Sequence, residues 1–134
     1  TENRGIVLPY IEDKTAINVT GTLIYDITDH KVKYLKDTNT WADLSVNTSG
    51  TANIAIQTTK QETSTAKTVI GTNAANITTP GILVLADTDK AMVLPKVASP
   101  HTAIANPAAG MMVYDTVKKQ LAVYNGTQWS FWKP

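Results

Sequence analysis

Apolar residues along the chain come in runs of two to five, each closed by a turn signal, with no long period of three to four. "GIVLP" at 5–9, "GTLIYD" at 21–26, "KVKYL" at 31–35, "GILVLA" at 81–86, "AMVLP" at 91–95, "GMMVYD" at 110–115 and "QLAVY" at 120–124 are all strand-length segments. Runs of this length bounded by Gly, Pro, Asn and Asp predict strands, and nothing reads as an amphipathic helix of ten residues or more. In "GMMVYD", Met112 and Tyr114 fall on one face of a strand and Met111 and Val113 on the other. Strands apolar on both faces need cover on both sides.

These runs repeat. Residues 5–11 match 91–97, 21–26 match 110–115, 31–35 match 120–124, and 40–44 match 128–132. Ile6 and Met92 are 86 positions apart, Gly21 and Gly110 are 89 apart, and Trp41 and Trp129 are 88 apart. The separation changes between blocks, as expected when insertions fall in loops. A two-copy repeat of this length is a duplicated module. Each copy reads as an arm ending in Leu-Pro, a connector, and a three-stranded meander. Pro9 and Pro95 lack an N–H and are expected to stop strand pairing. In the second copy, Ser99 and Pro100 predict the N-cap and first residue of a short helical turn, stopped by Pro107. Asn125-Gly126 predicts a tight hairpin; Asp37-Thr38-Asn39 takes its place in the first copy.

The expected fold class is all-β: duplicated antiparallel meander modules forming a β-sandwich or a fibre-like β assembly, with at most one or two short helical turns. The expected domains are residues 1–45, a first β module; 46–89, a Thr/Ser/Asn-rich connector with strands; and 90–134, a second β module. Within the connector, "ANIAIQT" at 52–58 alternates like a strand, and 79–95 reads as two strands joined by a turn at Asp87-Thr88-Asp89.

Composition narrows the function. A formal net charge of +1, with no basic run longer than Lys118-Lys119, argues against nucleic acid as a partner. The longest apolar run, Ile82 to Ala86, is far short of a membrane span, so membrane insertion is not expected. The absence of cysteine excludes disulfides, thiolate chemistry and Cys-based zinc sites. Heavy use of Thr, Asn, Ala and Val favours strands and turns. It also points to a secreted or cell-surface protein whose signal peptide has been removed.

Candidate chemistry is sparse. Asp26 and Asp115 hold equal places in the two copies and could pair as acid and base for a hydrolase. Each directly precedes a turn, where Asp bonds backbone two residues on, and that structural role explains both copies. Asp26, Asp115, Asn125 and Gly126 are therefore read as turn residues. His30 and His101 have no metal-site spacing, and no metal or cofactor is expected. The aromatic residues Trp41, Trp129, Trp132, Tyr34 and Tyr124 either fill the core or form a platform for sugar rings. Asn-x-Ser/Thr triplets such as Asn76-Ile77-Thr78 mark possible glycosylation acceptors.

Residues 90–129, with Leu-Pro, Asn-Pro-x-x-Gly, two apolar residues before Tyr-Asp, and Tyr-Asn-Gly-Thr-x-Trp, resemble a phrase of secreted and tail-fibre-like repeat proteins of Bacteroidota-type bacteria, mostly without an assigned function. Residues 4–45 carry a looser version, and 45–67 lie outside it. The resemblance implies a surface or fibre component without catalytic residues, similar to homo-oligomeric tail fibres with receptor-binding tips. It also makes Asp115-Thr116-Val117 similar to a short O-glycosylation signal.

The leading expectation is a non-enzymatic extracellular structural protein that self-assembles through β-strands into a filament or closed homo-oligomer. Its self-association residues would be Ile6, Val7, Leu8, Leu23, Ile24, Met111, Met112 and Val113, with the N-terminal arm as a strand donated to a neighbour. The alternative is a carbohydrate- or receptor-binding adhesin using the surface Trp and Tyr residues, with surface glycans as the partner.

Overall fold

The computed structural model describes residues 4–61, 63 and 65–133. The chain divides into two compact units, residues 1–54 with 94–134, and residues 55–93.

The first unit holds both copies of the repeat. Its strands are β1 (Ile6–Val7), β2 (Tyr10–Ile11), β3 (Leu23–Asp26), β4 (Lys31–Asp37), β5 (Thr40–Asp43), β8 (Lys96–Val97), β9 (Met111–Asp115), β10 (Gln120–Tyr124) and β11 (Trp129–Trp132). β2-β3-β4-β5 form one sheet, and β1-β9-β10-β11 form the other, with β8 also on β9. The two antiparallel meanders, β3-β4-β5 and β9-β10-β11, are those expected from the repeat.

The arms differ from expectation. Pro9 ends one run of pairing and starts another, whereas Pro95 only starts one. Each lacks a donor but keeps its carbonyl, which accepts the N–H of Tyr25 (2.9 Å) or of Tyr114 (2.9 Å). The chain then runs parallel to the central strand, with Tyr10 opposite Tyr25 and Lys96 opposite Tyr114. The same register in both copies shows that the repeat is structural. β1 pairs antiparallel with β9 of its own chain, Ile6 opposite Met112 and Val7 opposite Met111. The arm of the first copy thus joins the sheet of the second.

The two sheets share one core. Tyr25 and Val32 from β3 and β4 meet Met112 and Val123 from β9 and β10, with Leu8 and Ala109 beside them. A second cluster covers the other face of β9 and β10, where Met111, Val113 and Ala122 meet Val97 and Ile104. Ile104 follows α1 (Pro100–Ala103), a single turn. Pro100 stands at the start of this turn, as the sequence predicts. Ser99 makes no side-chain cap; it is left-handed (φ 49°), and its carbonyl accepts the N–H groups of Thr102 and Ala103 at 3.0 Å each.

Residues 47–51, within the polar segment, strap the loop after β10. The Asn125 side-chain amide donates to the Asn47 carbonyl (2.6 Å). Gly50 lies so close that a Cβ there would overlap the Asn125 carbonyl.

The second unit is small. β6 (Thr68–Ile70) and β7 (Leu83–Leu85) pair in parallel, and a 3₁₀ turn occupies Ala74–Asn76 between them. β6 was not foreseen. Residues 52–58 form no strand; a turn begins at Ala55 instead, because their alternation has no neighbouring strand to pair with. Residues 91–95 are not a strand either. None of the described residues in 55–93 is buried.

Candidate self-association surface

Residues proposed for self-association from sequence are mostly enclosed by their own chain. Leu8 and Met112 lie in the core shared by the two sheets, and Met111 and Val113 in the second cluster. Ile24 is fully buried. Leu23 packs part-buried against the shared core, Ile6 is half-buried, and Val7 is exposed. Two apolar faces on β9 do need two covers, and the chain supplies both. One is the opposite sheet, and the other is the short connector carrying Val97 and Ile104. This connector escaped the sequence argument, which sought a long helix as cover. The arm proposed as a donated strand is β1, already paired with β9.

The turn residues sit at hairpin corners on different sheets. Asp26 Oδ1 accepts the N–H (2.9 Å) and hydroxyl (2.6 Å) of Thr28, and its Oδ2 meets Lys14 Nζ at 2.7 Å. Burial pushes the Asp26 carboxyl up, but the bonds from Lys14 and Thr28 outweigh it and hold the group below the usual carboxylate range. Asp115 Oδ1 accepts N–H groups from Val117 (2.9 Å), Lys118 (3.2 Å) and Ser99 (3.3 Å). Burial is again outweighed, and the group stays low. Both carboxylates are occupied by their own corners, and no shared acid-base pair forms.

Asn125 Oδ1 accepts from Thr127 N (3.0 Å) and Gln128 N (2.7 Å), and Gly126 has φ 103°. The loop spans 125–128, wider than the two-residue turn expected, because the Asn side chain itself folds the backbone.

The aromatic residues are dispersed. Tyr124 and Trp129 face each other across β10 and β11, with ring centroids 5.2 Å apart, beside the second cluster. Trp132 lies on the opposite face of β11, and its indole N–H donates to the Leu44 carbonyl. Trp41 and Tyr34 belong to the other sheet and to opposite faces of it, Trp41 opposite Leu35 and Tyr34 opposite Ala42. The five do not share a platform.

Exposed large apolar side chains occur in both units, as with Val46, Val117 and Trp132 in the first, but residues 55–93 carry seven of them with no buried residue beneath among those described. Ile56, Ile70, Ile82, Leu83, Leu85, Met92 and Val93 are all exposed there. On the β6–β7 pair, Ile70 stands opposite Leu85 and Thr68 opposite Leu83 on one face, with Val69 opposite Val84 on the other. Ile70, Leu83 and Leu85 are 59%, 51% and 47% exposed, whereas Val69 and Val84 are half-buried. Sequence reading missed this surface because β6 sits in a stretch dominated by Thr, Asn and Ala. "TVIGT" was the available signal.

Residues 69–133 match the family model of a phage tail like trimerisation region. The match takes in most of β6, all of β7 and the whole second copy, just under half of the chain. It supports a tail-fibre-like family and a structural, oligomerising module. No curated protein and no solved structure matches the chain.

Proposed function

We propose that the chain is a non-catalytic structural subunit that assembles with two further copies of itself as part of an extracellular, tail-fibre-like structure. One observation carries this reading. Residues 4–54 with 94–133 close a core of their own, whereas 55–93 bury none of their described residues. A segment that exposes seven large apolar side chains gains stability only when other surfaces cover them. Soluble oligomers are mostly symmetric assemblies of one chain. The similarity of 69–133 to a trimerisation region sets the number of copies in the proposal. The Thr- and Asn-rich composition supports the extracellular setting. Light scattering on the chain at several concentrations tests the assembly. A mass of three chains is expected; a 14.5 kDa monomer at every concentration would overturn the reading.

A further inference from the structure

We propose that the face of the β6–β7 pair carrying Ile70, Leu83 and Leu85 is the trimer contact, three copies turning this face toward a common axis. The inference rests on the homo-oligomer reading above and assigns it a surface. Parallel strands are found covered on both faces, and an isolated two-stranded sheet is marginal in water. Here Val69 and Val84 are half-buried, while Ile70, Leu83 and Leu85 on the opposite face are exposed.

Charge favours copies of the same chain as the occupant of this face. A threefold axis brings each side chain up to its own copies, so any charge near it repels itself. This face offers Ile70, Leu83, Leu85 and the neutral Thr68. Lys67, Asp87 and Lys90, which flank it, are tied to their own unit. Lys67 Nζ donates to the Ile77 carbonyl at 2.6 Å, and Asp87 is held by Lys90 at 2.7 Å and by the Thr72 N–H at 2.7 Å. An uncharged apolar stripe suits contact with its own copies and offers a charged partner nothing. Three two-stranded sheets with these stripes inward enclose the side chains that a single chain leaves in water.

The test uses Ile70→Asp and Leu85→Asp in the full chain, with Val117→Asp, exposed in the other unit, as control. Each Asp on the face is expected to raise the concentration at which the trimer dissociates by at least tenfold, and the control to leave it unchanged. All three tryptophans lie outside 55–93, so their near-ultraviolet signal reports whether the core survives each change. A second measurement does not depend on that survival. Ile70→Cys places the sole thiol of the chain near the axis and should give a covalent dimer on mild oxidation, whereas Val117→Cys should not. If the wild type is oligomeric but both Asp variants keep its mass, or the two Cys variants cross-link equally, this face is not the contact and the oligomer reading survives. If the wild type is monomeric, both fall.

Discussion

The Tyr25 hydroxyl donates to the Asn125 carbonyl at 2.7 Å, with both residues buried. This bond joins the central strand of the first copy to the loop that ends β10 in the second. Tyr10 repeats the linkage nearby, donating to the Ala109 carbonyl at 3.1 Å and packing edge-on against Tyr25 at 5.5 Å. Tyr25→Phe keeps the ring but leaves a buried carbonyl without this donor. We expect a loss of about 1–3 kcal/mol in unfolding free energy, read from urea denaturation.

The same burial governs alkaline stability. The Tyr25 phenol is pushed up to about 12, first by burial and then by the nearby Tyr10 and by Asp29 and Asp26. In the unfolded chain it ionises near 10, as any tyrosine does at roughly that value. The folded state therefore retains a proton that the unfolded state has lost, and stability falls as pH rises from the lower value through the higher. Lys33 adds to this. Burial pushes its ammonium down, but Asp29 and Asp43 hold it above its usual value, so its contribution also disappears as pH rises through the folded value. Denaturation at pH 8, 10 and 12 should show most of the decline between pH 10 and 12, and Tyr25→Phe should decline less steeply there.

In acid the sign reverses. Asp26, Asp43 and Asp115 all sit below the usual carboxylate range, because hydrogen bonds from Lys14 and Thr28, from Lys31 and Lys33, and from Lys118, Val117, Ser99 and Gln120 outweigh their burial. Their stabilisation is complete above the unfolded value of about 3.9 and is lost as pH falls through the folded values. Asp26→Ala should unfold at lower urea by about 1–3 kcal/mol at pH 7, with the gap to wild type closing toward pH 2.

Glycines at two places should respond differently to a methyl group. Gly21 has φ +86°, and an added Cβ meets nothing within 4 Å. Gly21→Ala should cost only the left-handed backbone, about 1 kcal/mol. At Gly50 the Cβ would overlap the Asn125 carbonyl and crowd the Tyr25 hydroxyl. Gly50→Ala should cost about 3 kcal/mol, the upper end of the range for overpacking. It should also release the strap, seen as faster proteolysis within 47–54. Equal melting temperatures for the two variants would contradict the strap geometry.

Legibility from sequence follows how local the cause is. The meanders were readable because Gly21 to Leu44 and Gly110 to Trp132 carry their own turns and periods. The corner role of Asp26 and Asp115 is equally local. The crossing of β1 onto β9 was not readable, because Leu8-Pro9 looks like a strand end until the Pro9 carbonyl finds Tyr25. Met111 and Val113 looked unpartnered because the residues covering them, Val97 and Ile104, lie in a connector too short to register as a layer. The β6–β7 pair was obscured for a different reason. A parallel pairing between Val69 and Val84 depends on the chain between them, not on the local pattern at either end.

In the proposed assembly, residues 4–54 with 94–133 complete their own core, and other copies of the chain complete residues 55–93. Amide hydrogen exchange, followed at protein concentrations above and below assembly, tests it most directly. The amides of Thr68–Ile70 and Leu83–Leu85 should gain protection as concentration rises, while those of Leu23–Asp26 and Met111–Asp115 stay protected throughout. Exchange at 68–70 and 83–85 that is the same at every concentration would contradict the account.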